Sequence, residues 1–307
     1  MLSLDEILSK SDGKVTLYKD LRILAEGYLT EKVTICIPDM HLLEKGPTDD
    51  FTDGIAAHEQ RFLEFLDFLL ELKASEKEAL EIIQLGDLYD LWQARGNTNL
   101  IQNAYTNILG LLDELPAIYV VGNHDIDLLE WYKTRGETFG RKWRHFSFFE
   151  GNERVIYEHG FQADFANNQD SWSGIIGRNI TTVVGMAEYL YPDIDIVLGD
   201  AWDDIKRIFN TVNAGLTPVK NPEGFNTHEY LEFYINLMGK YNRGDSDDHH
   251  GPSKLALAVV GHTHSARLVK KPQNGETFYL MDCGSWVNGG HEFGVICGKD
   301  LAICQWG

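Results

Sequence analysis

Ala117–Ile118–Tyr119–Val120–Val121–Gly122–Asn123–His124–Asp125 is the stretch whose reading decides the fold. An apolar, strand-like run stops at a glycine, and an amide, an imidazole and a carboxylate follow in succession. A strand that ends this way delivers polar groups to the rim of a sheet, where ligands approach. One such ending is weak evidence. Its weight depends on how many other strands end alike.

Four more do. Val33–Ile37 runs into Pro38–Asp39–Met40–His41, and Ile82–Leu85 runs into Gly86–Asp87–Leu88–Tyr89–Asp90. Arg154–Tyr157 leads to Glu158–His159–Gly160, and Leu255–Val260 to Gly261–His262–Thr263–His264. Between these runs, Phe62, Phe65, Leu66 and Leu69 recur at helical spacing and predict a long amphipathic helix over 55–73. A second helix is expected over 98–114. Strands alternating with helices define an α/β arrangement. Ser3–Ser9 reads as a short helix with Ser3 and Glu6 at capping-box spacing, while 14–30 is open between strand and helix. Phe278–Asp282, Gly284–Trp286 and Gly294–Gln305 read as further sheet.

Residues 165–252 break the alternation. They are rich in Asn, Asp and Trp, with helix-like segments near 174–190, 201–213 and 226–241. We read them as a cap-like helical insertion within a single domain spanning 1–307. Trp172, Tyr189, Tyr191 and Trp202 read as the insertion's own core, ahead of a base-stacking or acyl-covering surface. His249 and His250, in an Asp-rich run, read as a solvated loop.

The chain has 307 residues, enough for a substantial core, and a formal net charge of −20. That balance argues against passive attraction to duplex nucleic acid or anionic membrane, which rests on Lys and Arg. Bound dications would cancel part of it locally. The four cysteines, Cys36, Cys283, Cys297 and Cys304, form no C-x-x-C pair and read as ordinary buried thiols. No secretory signal opens the chain and no apolar run approaches the length of a membrane span, so a cytoplasmic location is expected.

The strand-end groups share one chemistry. Residues two apart on an extended chain point the same way, so Asp39 with His41, and His262 with His264, can each present a pair of ligands. Carboxylate, amide oxygen and imidazole together suit Mn²⁺, Fe²⁺ or Zn²⁺. There are enough donors for two ions with one carboxylate between them. His58, His145, His228 and His291 lie outside the motifs and read as surface or packing residues. His291 follows Asn288–Gly289–Gly290, close to the expected pocket.

The ordered set D-x-H, G-D-x-x-D, G-N-H-D, H and G-H-x-H resembles the calcineurin-like metallophosphoesterase superfamily, from about residue 33 to 290 without the insertion. The resemblance implies a four-layer αββα sandwich of two mixed sheets flanked by helices. It implies a first metal on Asp39, His41, Asp87 and His264, and a second on Asp87, Asn123, His159 and His262, with Asp87 bridging. His124 would face the substrate, oriented by Asp90, and Asp125 would brace the loop. The implied activity is hydrolysis of a phosphomonoester or phosphodiester by in-line attack of a metal-bridging hydroxide, with Mn²⁺ the expected metal and Fe or Zn²⁺ as alternatives.

Gly86–Asp87–Leu88–Tyr89–Asp90–Leu91–Trp92 is also similar to bacterial UDP-2,3-diacylglucosamine pyrophosphatases. The chain departs from them at His124, where they carry arginine, and at His159–Gly160–Phe161 in place of H-G-D. That substrate therefore ranks second. A nuclease ranks below it on charge, and a non-catalytic scaffold ranks last, because a scaffold has no reason to keep His124. The expected partner is a small phosphoester, with neither duplex nucleic acid nor integral membrane contact.

Overall fold

Val33–Ile37 (β2) is the strand around which the first sheet is laid. Its side chains alternate between two buried faces, Val33, Ile35 and Ile37 on one and Thr34 and Cys36 on the other, because successive side chains on a strand point to opposite sides. In the computed structural model the residues described are 4–9, 16–18, 33–75, 80–91, 93–94, 97–125, 142–143, 147–149, 155–161, 163, 227–243, 255–298 and 300–307. The segments 174–190 and 201–213, the residues Trp172, Tyr189, Tyr191 and Trp202, and His145, His249 and His250 lie outside them.

The chain divides into two compact units, Met1–Gly160 with Leu255–Gly307, and Phe161–Lys254. In the larger unit the first sheet has seven strands. Leu80–Gln84 (β3), Ala117–Tyr119 (β4) and Lys142–Trp143 (β5) follow β2 in parallel. Glu292–Cys297 (β11) pairs antiparallel on the other side of β2. Asp300–Gln305 (β12) and Thr16–Tyr18 (β1) extend that side, again antiparallel. The parallel strands β2, β3 and β4 bring the loops beginning at Pro38, Leu85 and Val120 to one edge.

The second sheet has five strands, in the order Ser147–Phe149 (β6), Val155–Glu158 (β7), Leu257–Val260 (β8), Glu276–Asp282 (β10) and Arg267–Gln273 (β9). Here β7, β8 and β10 run parallel, with antiparallel strands at both edges. Both sheets are therefore mixed.

Two cores follow from the alternation. Ile35, Ile37, Ile82, Tyr119, Val295 and Phe293 face the helices and pack with Phe62, Phe65, Leu66 and Leu69 of Ala56–Ser75 (α2) and Ile108 and Leu112 of Thr106–Glu114 (α4). Phe65 sits among Trp286, Phe293 and Trp306, with ring centroids 4.9 to 5.4 Å apart. Each such side chain contributes roughly 1.5–3 kcal/mol through burial. Cys36, Ile83, Leu85, Ile296 and Ile303 point the other way and meet Val155, Tyr157, Val259 and Met281 of the second sheet. The architecture is thus two mixed sheets packed face to face and flanked by helices.

Several expectations shift in detail. The helix expected over 98–114 is two, Thr98–Ala104 (α3) and α4, broken at Tyr105, whose backbone leaves the helical region at φ −122° and ψ 35°. Leu4–Leu8 (α1) occupies the short N-terminal helix, and β1 lies within the ambiguous stretch. β9 is a strand that periodicity does not reveal. In the smaller unit, Thr227–Arg243 (α5) is a described helix near the expected 226–241. All four cysteines are free, with Cys36, Cys283 and Cys304 buried. Among the described residues, no helix is long and apolar enough to cross a membrane.

Candidate metal centre

Beyond each strand end the chain turns sharply. His41, Asp87, His262 and His264 all adopt left-handed backbone conformations, with φ of 51°, 50°, 68° and 53°. Such conformations disfavour side chains by about 1–2 kcal/mol each. They persist here because neighbouring contacts hold them. The Asp87 carbonyl accepts both the Met40 and His41 amides, at 3.0 and 2.8 Å, and Trp286 N donates to the Asp39 carbonyl at 2.8 Å. Gln84 clamps the next turn from inside the strand, donating from Nε2 to Gly86 O at 2.7 Å and accepting Gly86 N at 3.1 Å. Asp125 ties two loops together, accepting Gly122 N at 2.6 Å on Oδ1 and Leu88 N at 3.0 Å on Oδ2.

Two glycines let the carboxylates come close. A Cβ at Gly122 would strike the Asp87 carboxylate, and a Cβ at Gly261 would strike the Asp39 carboxylate. Only hydrogen fits at either position.

The side chains converge. Asp39 Oδ1 accepts His262 N at 2.9 Å, which leaves Oδ2 toward His264 Nε2 at 3.1 Å. Asp87 Oδ1 accepts His124 N at 2.8 Å, while Oδ2 lies 3.4 Å from His41 Nε2 and 3.2 Å from His159 Nε2. His159 Nε2 also faces Asn123 Oδ1 at 3.0 Å and His262 Nδ1 at 3.1 Å. One donor atom each from Asp39, Asp87, His159 and His262 forms a cluster within 4.8 Å, and Asp39, His41 and His264 form another. Asp39 belongs to both, and Asp87 Oδ2 stands between His41 and His159. All seven residues expected as ligands therefore meet at one place.

The set suits divalent cations. His159 Nδ1 donates to the Leu85 carbonyl at 2.9 Å, which turns Nε2 into the cluster, where it carries a proton or, in place of that proton, would ligate a cation. Two imidazole nitrogens 3.1 Å apart, with carboxylate and amide oxygens around them, point at a common partner. Among the described residues, buried His41 has no hydrogen-bond partner for Nδ1, and its Nε2 only approaches Asp87 Oδ2 at 3.4 Å. A buried polar atom without a partner is rare unless something else occupies it.

The charges agree. Burial alone would raise the Asp39 carboxyl, but the imidazoles of His159, His264 and His41 outweigh it and hold it well below its usual range. Asp87 is likewise lowered, against burial, by His159 and His124. Burial would lower His159, yet Asp87 and Asp39 outweigh it and raise that imidazole to about 10. Burial, seconded by His124, lowers His41. These buried carboxylates are held ionised by positive charge.

His124 borders the cluster: its ring meets that of His41 edge-on with centroids 4.4 Å apart, and donor atoms of His41, Asp90 and His124 form a third group within 4.8 Å. His124 Nδ1 lies 3.1 Å from Asp90 Oδ1, and its side chain is 23% exposed. Burial would lower this imidazole, but Asp87 and Asp90 outweigh it and raise it. Asp90 also accepts the Gln93 amide at 3.1 Å, so it braces the local turn as well as the histidine. His291, by contrast, faces Gly289 O at 3.0 Å and Arg61 at 3.5 Å and joins no metal-ligating cluster among the described residues. Sequence reasoning overlooked the Gln84 clamp. Its signal was a polar residue inside an apolar strand run.

Comparison with known proteins accords with this geometry. The family model for calcineurin-like phosphoesterases matches residues 33–266, and the chain belongs to that family of metal-dependent phosphoesterases. Among solved structures it is similar to a dimetal phosphatase from Danio rerio, with 10% identity and a TM-score of 0.42 over 90% of this chain and 99% of that one. No curated protein matches it.

Proposed function

We propose that the protein is a two-metal phosphohydrolase acting on a small phosphomonoester or phosphodiester, with Mn²⁺ as the working ion. The observation that carries this reading is the meeting of Asp87 Oδ2, His41 Nε2, His159 Nε2 and His262 Nδ1 between the two sheets. Asp39, His41, Asp87 and His264 would hold one ion, and Asp87, Asn123, His159 and His262 the other. Such an ion pair supplies a nucleophilic water at neutral pH and neutralises phosphoryl oxygens. Asp87, placed between them, would offset the repulsion between the two cations. His124, whose protonated form Asp87 and Asp90 favour, would bind a phosphoryl oxygen or donate its proton to the leaving oxygen. Asp90 keeps the ring in the orientation and tautomer that serve that transfer. The −20 charge favours a small substrate over a polyanionic duplex.

Asp87→Ala and His264→Ala test the reading directly. Both are expected to abolish hydrolysis of p-nitrophenyl phosphate and bis(p-nitrophenyl) phosphate by Mn²⁺-loaded protein, with circular dichroism unchanged. Wild-type rates in either variant would sink it. A panel of mono-, di- and pyrophosphate esters then identifies the substrate class, and exclusive turnover of pyrophosphates would overturn the ester preference.

A further inference from the structure

Gly261–Ala266 connects β8 to β9, yet in the sheet β10 lies between those two strands. The connection therefore crosses the end of β10. Asp282 is the last residue there, paired with Val260 on one side and with Arg267 on the other. Its buried carboxylate accepts the Thr263 hydroxyl and, at 3.1 Å each, Arg267 Nε and Nη2. Arg267 Nη2 also donates to Thr263 Oγ1 at 2.9 Å, and Ser265 N donates to the same oxygen at 3.3 Å. The hydroxyl thus uses its one donor and both acceptor positions.

Thr263 is buried between His262 and His264, both of which hold left-handed backbone. A loop in that conformation relaxes unless it is tied down, and relaxation would turn both imidazoles away from Asp39 and His159. Gly261 N on His159 O and His262 N on Asp39 Oδ1, both at 2.9 Å, tie the loop's first half, and the Thr263 hydroxyl ties the turn between the two histidines to the end of β10 and the start of β9. Among the described residues, the loop amide Thr263 N bonds within the loop, to Gly261 O at 2.8 Å, and does not anchor the turn to the sheet.

We propose that Asp282 and Arg267, acting through the Thr263 hydroxyl, are the positioning residues for the His262/His264 pair. They set the geometry of the metal centre without touching metal or substrate. The proposal rests on the reading of those two histidines as metal ligands.

The test is Co²⁺ titration of the full chain, followed by calorimetry and by visible absorption of the bound ion. Thr263→Val keeps the side-chain volume and removes all three bonds. It is expected to weaken Co²⁺ binding by about 10–100-fold, the usual effect of losing a partner behind a ligand, and to change the absorption spectrum. Thr263→Ser keeps the hydroxyl and should restore both. Asp282→Ala should reproduce Thr263→Val; if it fails to fold, the Val/Ser pair still decides. Wild-type affinity and spectrum in Thr263→Val, or equal loss in Thr263→Ser, would overturn the positioning role alone. A wild-type chain that binds no Co²⁺ would remove the metal centre and this proposal with it.

Discussion

The buried carboxylate of Asp49 and the buried pair Asp39 and Asp87, each with its cluster of polar partners in the larger unit, behave in opposite ways. Asp49 accepts hydrogen bonds from the hydroxyls of Thr52 and Tyr105 and from Leu43 N, the last at 3.3 Å. Burial dominates there, and its carboxyl is raised above its usual range. Asp39 and Asp87 are as deeply buried but are faced by imidazoles, and both are lowered. Burial alone therefore does not mark a site. Hydroxyls and amides bring the hydrogen that a carboxylate accepts, and the account closes within the protein. Imidazoles bring lone pairs of their own, and the cluster closes only around a cation or a proton.

The sharpest way to break this contrast is to neutralise one carboxylate in each cluster. Asp87→Asn is expected to lower phosphoester turnover by about 10³-fold, the upper range for removing one charge-stabilising group from an active site. Asp49→Asn should leave turnover near wild type. Equal losses in steady-state assays would show that both clusters are merely structural.

Gly122→Ala and Gly261→Ala probe the same site without altering any donor. The new methyl meets the Asp87 or Asp39 carboxylate, and a displacement of about 1 Å is worth about 10²-fold in rate. Unchanged rates and unchanged Mn²⁺ affinity would show that the carboxylates are not held where the structure places them.

Thermal unfolding separates the clusters by ligation. At a free Mn²⁺ concentration of 100 times its dissociation constant, wild-type protein should gain about 2.7 kcal/mol. Asp49→Asn should keep this gain and Asp87→Asn should lose most of it. An equal gain in all three proteins would place the ion elsewhere.

The smallest expected effect is in pH dependence. The Asp49 carboxyl is raised above 3.8 in the folded protein, so the fold keeps that proton where the unfolded chain has lost it. Its contribution is full below 3.8 and falls as pH rises through the folded value. Asp49→Asn should flatten that part of the stability curve, read as urea unfolding midpoints at successive pH. A parallel curve would refute the assignment.

The candidate metal donors were legible because each follows an apolar run, and the ending of a strand is local information. Asp282 has the same ending, after Phe278–Met281, but its role stayed hidden. Its partners come from the order β8–β10–β9, which the chain order does not contain. The break at Tyr105 was hidden for a similar reason, since its hydroxyl is recruited by Asp49, 56 positions away. β9 escaped because Arg267, Lys270, Lys271 and Pro272 carry the signature of an edge strand, which suppresses the apolar pattern.

Phosphate-ester chemistry entered only through the resemblance of the ordered motifs; the sequence by itself determined which donors exist, where strands end, and that the donor set suits divalent cations. Side-chain identity and local periodicity carry that much. Only the tertiary structure decided that Asp39 reaches both clusters, that Asp87 Oδ2 stands between two imidazoles, and that Asp282 holds the histidine loop. The carboxylates come from one sheet and three of the imidazoles from the other. Their distances exist only once the Cys36–Ile83 face of the first sheet has packed on the Tyr157–Val259 face of the second.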